Sequence, residues 1–373
     1  MKKKNRTSVT GAGAPSPDNP ETASSGDDST TAAGRRGVSI AGTSIYDIAE
    51  AAGVNPSTVS RALNNRDRIG ATTRKRILRI AEELGYQPSV IARSLATSRT
   101  NTIGVVAPSL TDPFVGMIVD SIEEHAGAYD YRVIFSTSRR DPDRELTIAT
   151  NFQRHRVDAV IIVSTHQRST YDLFERTLSV PVVLVGQEDP GSDIAVVAVD
   201  DARMIDAAAE HLVALGHTRF VFIGVDDRPF SSGRRQEAFE AGVIQRRTDA
   251  VVTTVLPEGL SDLERGAAAL PSVIASGATA VQCYNDMVAF GLVGAAIRDG
   301  IAIPGRFSVV GCDDLEIALS LPQPLTTIRQ PRGEMGRQAV ELVMERLDGK
   351  GPRTTVLPGQ LVIRATTAPP GDT

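Results

Sequence analysis

Residues 43–65 read TSIYDIAEAAGVNPSTVSRALNN, and their spacing of caps, apolar residues and polar residues predicts two short helices around a tight turn. Ser44 is positioned to N-cap the first helix, with Asp47 three residues on in a capping-box position. Ile45, Ile48, Ala49 and Ala52 form one apolar stripe at helical spacing. Gly53 supplies the left-handed residue that ends the helix, and Val54 can pack inward at the turn. Asn55 then caps a second helix, and Pro56 sits in its first turn, where a missing N–H costs nothing. Val59, Ala62 and Leu63 face inward, which leaves Ser57, Thr58, Ser60, Arg61 and Asn64 on exposed faces. A third helix is expected over about 72–84, with Ile77, Leu78, Ile80, Ala81 and Leu84 as its apolar side chains. This is a helix-turn-helix pattern whose polar second helix suits a DNA groove. The same pattern also describes an ordinary three-helix core with a solvated face.

Charge is divided unevenly along the chain. Residues 1–99 hold 15 Lys/Arg against 9 Asp/Glu, a net of +6, and residues 100–373 hold 25 against 36, a net of −11, which together give the overall −5. Arg61, Arg66, Arg68, Arg74, Lys75, Arg76 and Arg79 cluster in and after the proposed reading helix. Such a patch neutralises phosphates and gives sequence-independent, salt-dependent affinity.

The 373 residues exceed a single typical domain, and a hydrophobic content of 41% is ample for a core. Residues 1–42, rich in Ser, Thr, Gly, Ala, Pro and Asp, read as a disordered tail. The opening MKKKNR is followed by no apolar segment, and no apolar run reaches the roughly 18 residues of a membrane span. A cytoplasmic protein with no membrane partner is therefore expected. Cys283 and Cys312 are too few for a disulfide framework and are expected to be reduced core thiols.

From about residue 101 the pattern alternates between strands and helices. TIGVVAP (102–108), YRVIFST (131–137), VDAVIIVS (157–164), VPVVLVG (180–186) and IAVVAVD (194–200) are short β-branched runs. RFVFIGV (219–225), AVVTTVL (250–256), ATAVQCYN (278–285) and FSVVGCDD (307–314) continue the series. Helical stretches lie between many of them, at 143–155, 202–215, 233–245, 286–299 and 332–348. Continuous apolar strands separated by amphipathic helices imply parallel sheets covered on both faces, most simply two doubly wound subdomains. Ligands of such folds bind at the carboxyl ends of strands, here in a cleft between the subdomains. Asn285, Asp313 and Arg235 stand where they could bond a polar ligand, and Phe114 and Phe230 could supply a stacking face. The same residue types also cap helices and pair on surfaces, so both roles remain open at this point. No GxGxxG after the first strand, P-loop, GxSxG elbow or HExxH occurs. No catalytic residue, metal ligand or cofactor is therefore assigned.

Residues 43–367 as a whole resemble the LacI/GalR family of bacterial transcriptional regulators. The resemblance is carried by IYDIAEAAGVNPSTVSRALNN, by ELGYQPSVIARSLATSRTNTIGVVAP (83–108), and by HLVALGHTRFVFIG (211–224). YNDMVAFG (284–291), FSVVGCDD (307–314) and PLTTIRQP (324–331) continue it in the family's order and spacing. It implies an all-α helix-turn-helix head joined to an α/β core of two doubly wound parallel-sheet subdomains, like a periplasmic binding protein. The implied domains are a tail at 1–42, a head at 43–87, a hinge helix and linker at 88–100, a core at 101–368 and a tail at 369–373. Within the core, subdomain 1 would span about 101–199 plus 331–358, and subdomain 2 about 200–330 plus 359–368.

The resemblance further implies a repressor that binds a pseudo-palindromic double-stranded DNA operator as a homodimer, under control of a small-molecule effector. An activator or a corepressor-dependent regulator is the alternative within the family, and a small-molecule-binding protein without DNA function is the alternative outside it. By matching positions, Ser57 and Arg61 reach base edges with Pro56 beside them at the helix tip, and Arg61 has the geometry for guanine O6 and N7. Tyr46, Asn55, Thr58, Asn64 and Thr73 match phosphate contacts, which set register. Gly70 replaces the family's usual Ser cap on the third helix. Ser89, Ala92 and Leu95 match a hinge helix in the minor groove, with Leu95 as the wedge that kinks the duplex. Phe114, Phe230, Arg235, Asn285 and Asp313 match the effector site. Gly186 stands where sugar-responsive relatives often carry an Asp, so a simple galactoside is not implied. The effector expected is sugar-like, with a purine-like molecule second.

Overall fold

The computed structural model describes residues 43–63, 69–86, 99–163, 171–186 and 194–371. Asn64, the hinge positions Ser89, Ala92 and Leu95, and residues 1–42 lie outside the described residues. The chain divides between residues 87 and 88 into two compact units.

The first unit is built from α1 (Ile45–Ala52), α2 (Pro56–Leu63) and α3 (Ala71–Glu83). The expected capping box is present: Asp47 Oδ2 accepts from Ser44 N at 2.7 Å and Ser44 Oγ from Asp47 N at 3.4 Å. Gly53 ends α1 at φ 60°, a left-handed conformation that a Cβ would penalise. Ile48, Ala49, Ala52, Val59, Ala62, Ile77 and Ala81 form a small buried core. Leu78 and Leu84 of the third-helix run are exposed, because the buried face of α3 is set by Ile77 and Ala81, one turn apart. No side chain caps α3 at Gly70.

The second unit contains two six-stranded sheets. In chain order its elements begin β1 (Thr102–Ala107), α4 (Pro113–Gly127), β2 (Arg132–Thr137), α5 (Pro142–Arg154), β3 (Ala159–Val163), α6 (Asp172–Thr177), β4 (Val182–Val185) and β5 (Ala195–Val199). They continue α7 (Asp201–Ala214), β6 (Arg219–Ile223), α8 (Pro229–Arg246), β7 (Val251–Val255), α9 (Asp262–Ala275), β8 (Ala280–Cys283) and α10 (Asp286–Arg298). They end with β9 (Ser308–Asp313), β10 (Thr326–Arg329), α11 (Arg332–Leu347), β11 (Thr354–Leu357) and β12 (Gln360–Val362). The first sheet runs β11-β5-β4-β3-β1-β2 and the second β12-β10-β9-β8-β6-β7. Every pairing is parallel except β10 with β12. Each sheet is doubly wound, as the apolar runs predicted, and inner strands such as β3, β5 and β9 are buried throughout.

The chain passes between the sheets at three points: after β5, between β10 and α11, and between β11 and β12. Both cysteines are buried free thiols. No described helix is long and apolar enough to cross a membrane.

Candidate functional site

In the head, the turn aims α2 outward. Ser57 and Arg61 are exposed one helical turn apart, and Pro56 is half-buried at the tip beside them. Tyr46 and Asn55 are exposed, while Thr58 and Thr73 are half-buried at helix starts. Val59 and Ala62 anchor the opposite face of α2 in the core, so its polar face is fixed by packing. Arg76 donates to the Ala52 carbonyl at the end of α1, which ties one basic residue to the head's own backbone.

In the second unit, a cleft lies between the carboxyl ends of the two sheets. Its walls differ in character. The first subdomain contributes Pro108, Phe114, Val115, Ile118, Val163, Val185, Gly186 and Val199, with Asp112 as the one charge. The second contributes Asp201, Arg228, Ser231, Arg235, Tyr284, Asn285, Asp313 and Gln330. One face of the cleft is apolar and the other is polar.

The polar wall is cross-linked internally. Arg235 is buried, donates from Nε to Asp201 Oδ1 at 2.9 Å and from Nη1 to the Tyr284 carbonyl at 2.8 Å, and lies 4.8 Å from the centre of the Tyr284 ring. Arg228 packs on the same ring at 4.7 Å and pairs with Asp262. Asn285 caps α10 by accepting from Val288 N at 2.9 Å, and its amide donates to Asp262 at 2.6 Å. Burial would raise the Asp262 carboxyl, but Arg228 and Asn285 together hold it below its ordinary value.

Asp313 lines the cleft at a positive φ of 129° and is followed by Asp314 at 55°, a conformation non-glycine residues rarely adopt. Arg332, at the second crossover, holds this turn by donating to both carbonyls at 3.1 and 3.2 Å. Burial, followed by the nearby Asp286 carboxylate, drives the Asp313 acid strongly toward its neutral form. Gln330 donates to its Oδ1 at 2.7 Å. A neutral Asp313 can both donate to and accept from a hydroxyl.

Arg235, Asn285, Asp313 and Phe114 thus line one cleft, and Phe230 does not. Phe230 and Arg235 are five positions apart on α8, so they point to different faces. The cleft face is that of Ser231 and Arg235, whereas Phe230 shares its face with Arg234, whose guanidinium lies 5.8 Å from the ring. Sequence reading passed over Asp112, Asp201, Arg228, Tyr284 and Gln330. Asp112 and Asp201 follow strand ends in SLTDPF and VDDAR, the same signal that singled out Asp313. For Arg228 and Gln330 no local signal exists.

A family model for bacterial regulatory proteins of the lacI family matches residues 44–89, and a periplasmic binding protein-like domain matches residues 209–367. The chain is 32% identical over 338 residues to the HTH-type transcriptional regulator DegA of Bacillus subtilis, covering 88% of this chain and 98% of that protein. It is 28% identical to the HTH-type transcriptional repressor CytR of Escherichia coli, covering 86% and 95%. Among solved structures, the lac repressor dimer bound to operator and the anti-inducer ONPF matches with a TM-score of 0.79 at 27% identity, covering 87% of this chain and 99% of that one.

Proposed function

The chain belongs to the lacI family of bacterial transcriptional regulators, and on that premise we propose that it is a repressor holding a pseudo-palindromic operator as a homodimer under control of a small molecule. The observation that carries the reading is the exposed polar face of α2, with Ser57 and Arg61 one turn apart and the opposite face locked in a core. Arg61 would read guanine, Ser57 and Pro56 would approach neighbouring base edges, and Tyr46, Asn55, Thr58, Asn64 and Thr73 would hold phosphates. Ser89, Ala92 and Leu95 would enter the minor groove as a hinge. The cytoplasm, at the nucleoid, is the compartment this function needs.

Homodimerisation is supported by large apolar side chains left exposed at the sheet edges. Ile134 and Phe135 stand on edge strand β2, and Leu256, Leu260 and Leu263 follow edge strand β7.

The effector would sit in the cleft with hydroxyls toward Arg235, Asn285 and Asp313 and an apolar face toward Val115, Ile118 and Val185. A sugar-like molecule carrying an apolar substituent fits those two walls. Phe114 beside the apolar wall favours a purine-like molecule as the second reading. Closure of the subdomains on the effector would change the operator-bound population by linkage.

Selection of binding sites from random duplex DNA by the full chain tests the DNA reading, and a two-fold symmetric motif is the expected result. Enrichment of no motif would sink it. A thermal-shift panel of sugars, glycosides, nucleosides and purines tests the cleft, with a stabilising hit abolished by Asp313→Ala.

A further inference from the structure

The mouth of the cleft carries charges that ligand binding leaves unused. Asp112 and Arg140 belong to the first subdomain, just before α4 and just after β2, whereas Asp227 and Arg228 belong to the second, just after β6. Arg140 Nε lies 3.8 Å from Asp227 Oδ2, and Arg228 Nη1 lies 3.8 Å from Asp112 Oδ2. Both pairs cross the cleft.

Each of these charges also has a closer partner on its own side. Arg140 Nη2 is 3.5 Å from Asp112, and Arg228 Nε is 3.2 Å from Asp227. Arg228 also pairs with Asp262, and Arg265 reaches Asp226, Asp227 and Asp262 at 3.0–3.4 Å. Among these four charges, separation of the subdomains therefore breaks the two longest contacts and leaves none of the four alone. That is the arrangement of a reversible contact, since stranding a buried charge would make opening prohibitive.

The backbone presents Arg140 at some cost. Arg139 and Arg140 are consecutive left-handed residues at φ 58° and 60°. Ser138 Oγ accepts from Arg140 N at 3.2 Å and donates to the buried Glu145 at 3.3 Å, which also accepts from Tyr171 at 3.3 Å. Strain persists where surrounding bonds over-determine it. Arg140 Nε is buried without a hydrogen bond, so its contact with Asp227 is a charge pair that can be released without leaving a broken hydrogen bond.

We propose that the pairs Arg140–Asp227 and Arg228–Asp112 are an ion-pair latch that holds the two subdomains together in the ligand-free chain and sets how often the cleft opens. The latch is wired to the cleft wall: Asp262 bonds both Arg228 and Asn285, and Arg228 lies on Tyr284. Its regulatory meaning rests on the cleft being the effector site, but its existence does not.

The test therefore uses no ligand. Spin labels on Asp143→Cys and Glu258→Cys, exposed positions of the first and second subdomains, report their separation by pulsed electron resonance in the full chain diluted with unlabelled protein. The native cysteines are buried and stay unlabelled. Arg140→Gln, and separately Asp112→Asn, which keeps the cap on Phe114 N, each lower the closed-to-open ratio about fivefold. Molar salt shifts the unsubstituted latch toward longer distances and leaves a chain carrying both Arg140→Gln and Asp112→Asn unmoved. Distances unchanged in both variants, or unresponsive to salt with the latch intact, overturn the proposal. A latch confirmed in a chain that no small molecule stabilises would remove the effector reading alone.

Discussion

Replacing Arg235 by Met takes the guanidinium paired with Asp201 away while keeping most of the buried volume. In the folded core the guanidinium bonds Asp201 Oδ1 at 2.9 Å and the Tyr284 carbonyl at 2.8 Å, and both Arg235 and Asp201 are buried. Arg235→Met leaves a buried carboxylate without its cation and a carbonyl without its donor. Removing one member of a buried pair costs about 3–5 kcal/mol, because the remaining charge keeps its desolvation penalty and loses its attraction. Asp201→Asn alone strands the guanidinium instead. The double variant strands neither, so its cost falls short of the sum of the singles by about 1–3 kcal/mol. Urea unfolding of the full chain by far-ultraviolet circular dichroism, read at the core transition, measures all three. A single-variant cost below about 1 kcal/mol, or strictly additive costs, would refute the reasoning and return Arg235 to a purely ligand-facing role.

Glu145 is raised by burial from 4.5 to about 7, with Ser138 and Tyr171 opposing the shift. The folded chain therefore keeps a proton that the unfolded chain has lost, and this contribution, on the order of 3 kcal/mol, is present below about pH 4.5 and disappears as pH rises through 7. Glu145→Gln should remove that slope, measured as the difference from the unsubstituted chain in unfolding midpoint across the window; parallel profiles would count against it. Arg61→Ala should lose about 1–3 kcal/mol of preference for the selected operator while retaining nonspecific binding, measured by competition with random duplex; unchanged specificity would remove Arg61 from base reading. Ser44→Ala should cost about 1 kcal/mol of head stability by removing half of the capping box, and a thermal scan showing no loss would rule the cap out as a stabiliser.

The head was legible because its signals are local. Ser44, Asp47, Gly53 and Pro56 act within a turn or two of chain, and the stripe through Ile48, Ala52 and Val59 states which faces meet. The inner strands such as β3, β5 and β9 were equally readable, since a strand buried on both faces must be β-branched and apolar along its length. The short strands β10, β11 and β12 were not, because three or four residues carry no periodicity and are fixed by their neighbours in the sheet.

Sequence by itself determined that a helix-turn-helix head precedes a doubly wound core, and that Asn285 and Asp313 stand at strand ends. Tertiary structure decided which chemistry those positions perform. Phe230 left the cleft through the rotation of α8, and Asn285 is engaged as a cap. Asp201 pairs with Arg235 across 34 residues. Arg140 meets Asp227 only because two separately wound sheets face each other. Local propensities specify turns and periods; the pairing of charges distant in sequence depends on how completed layers pack, and no window of sequence contains that information.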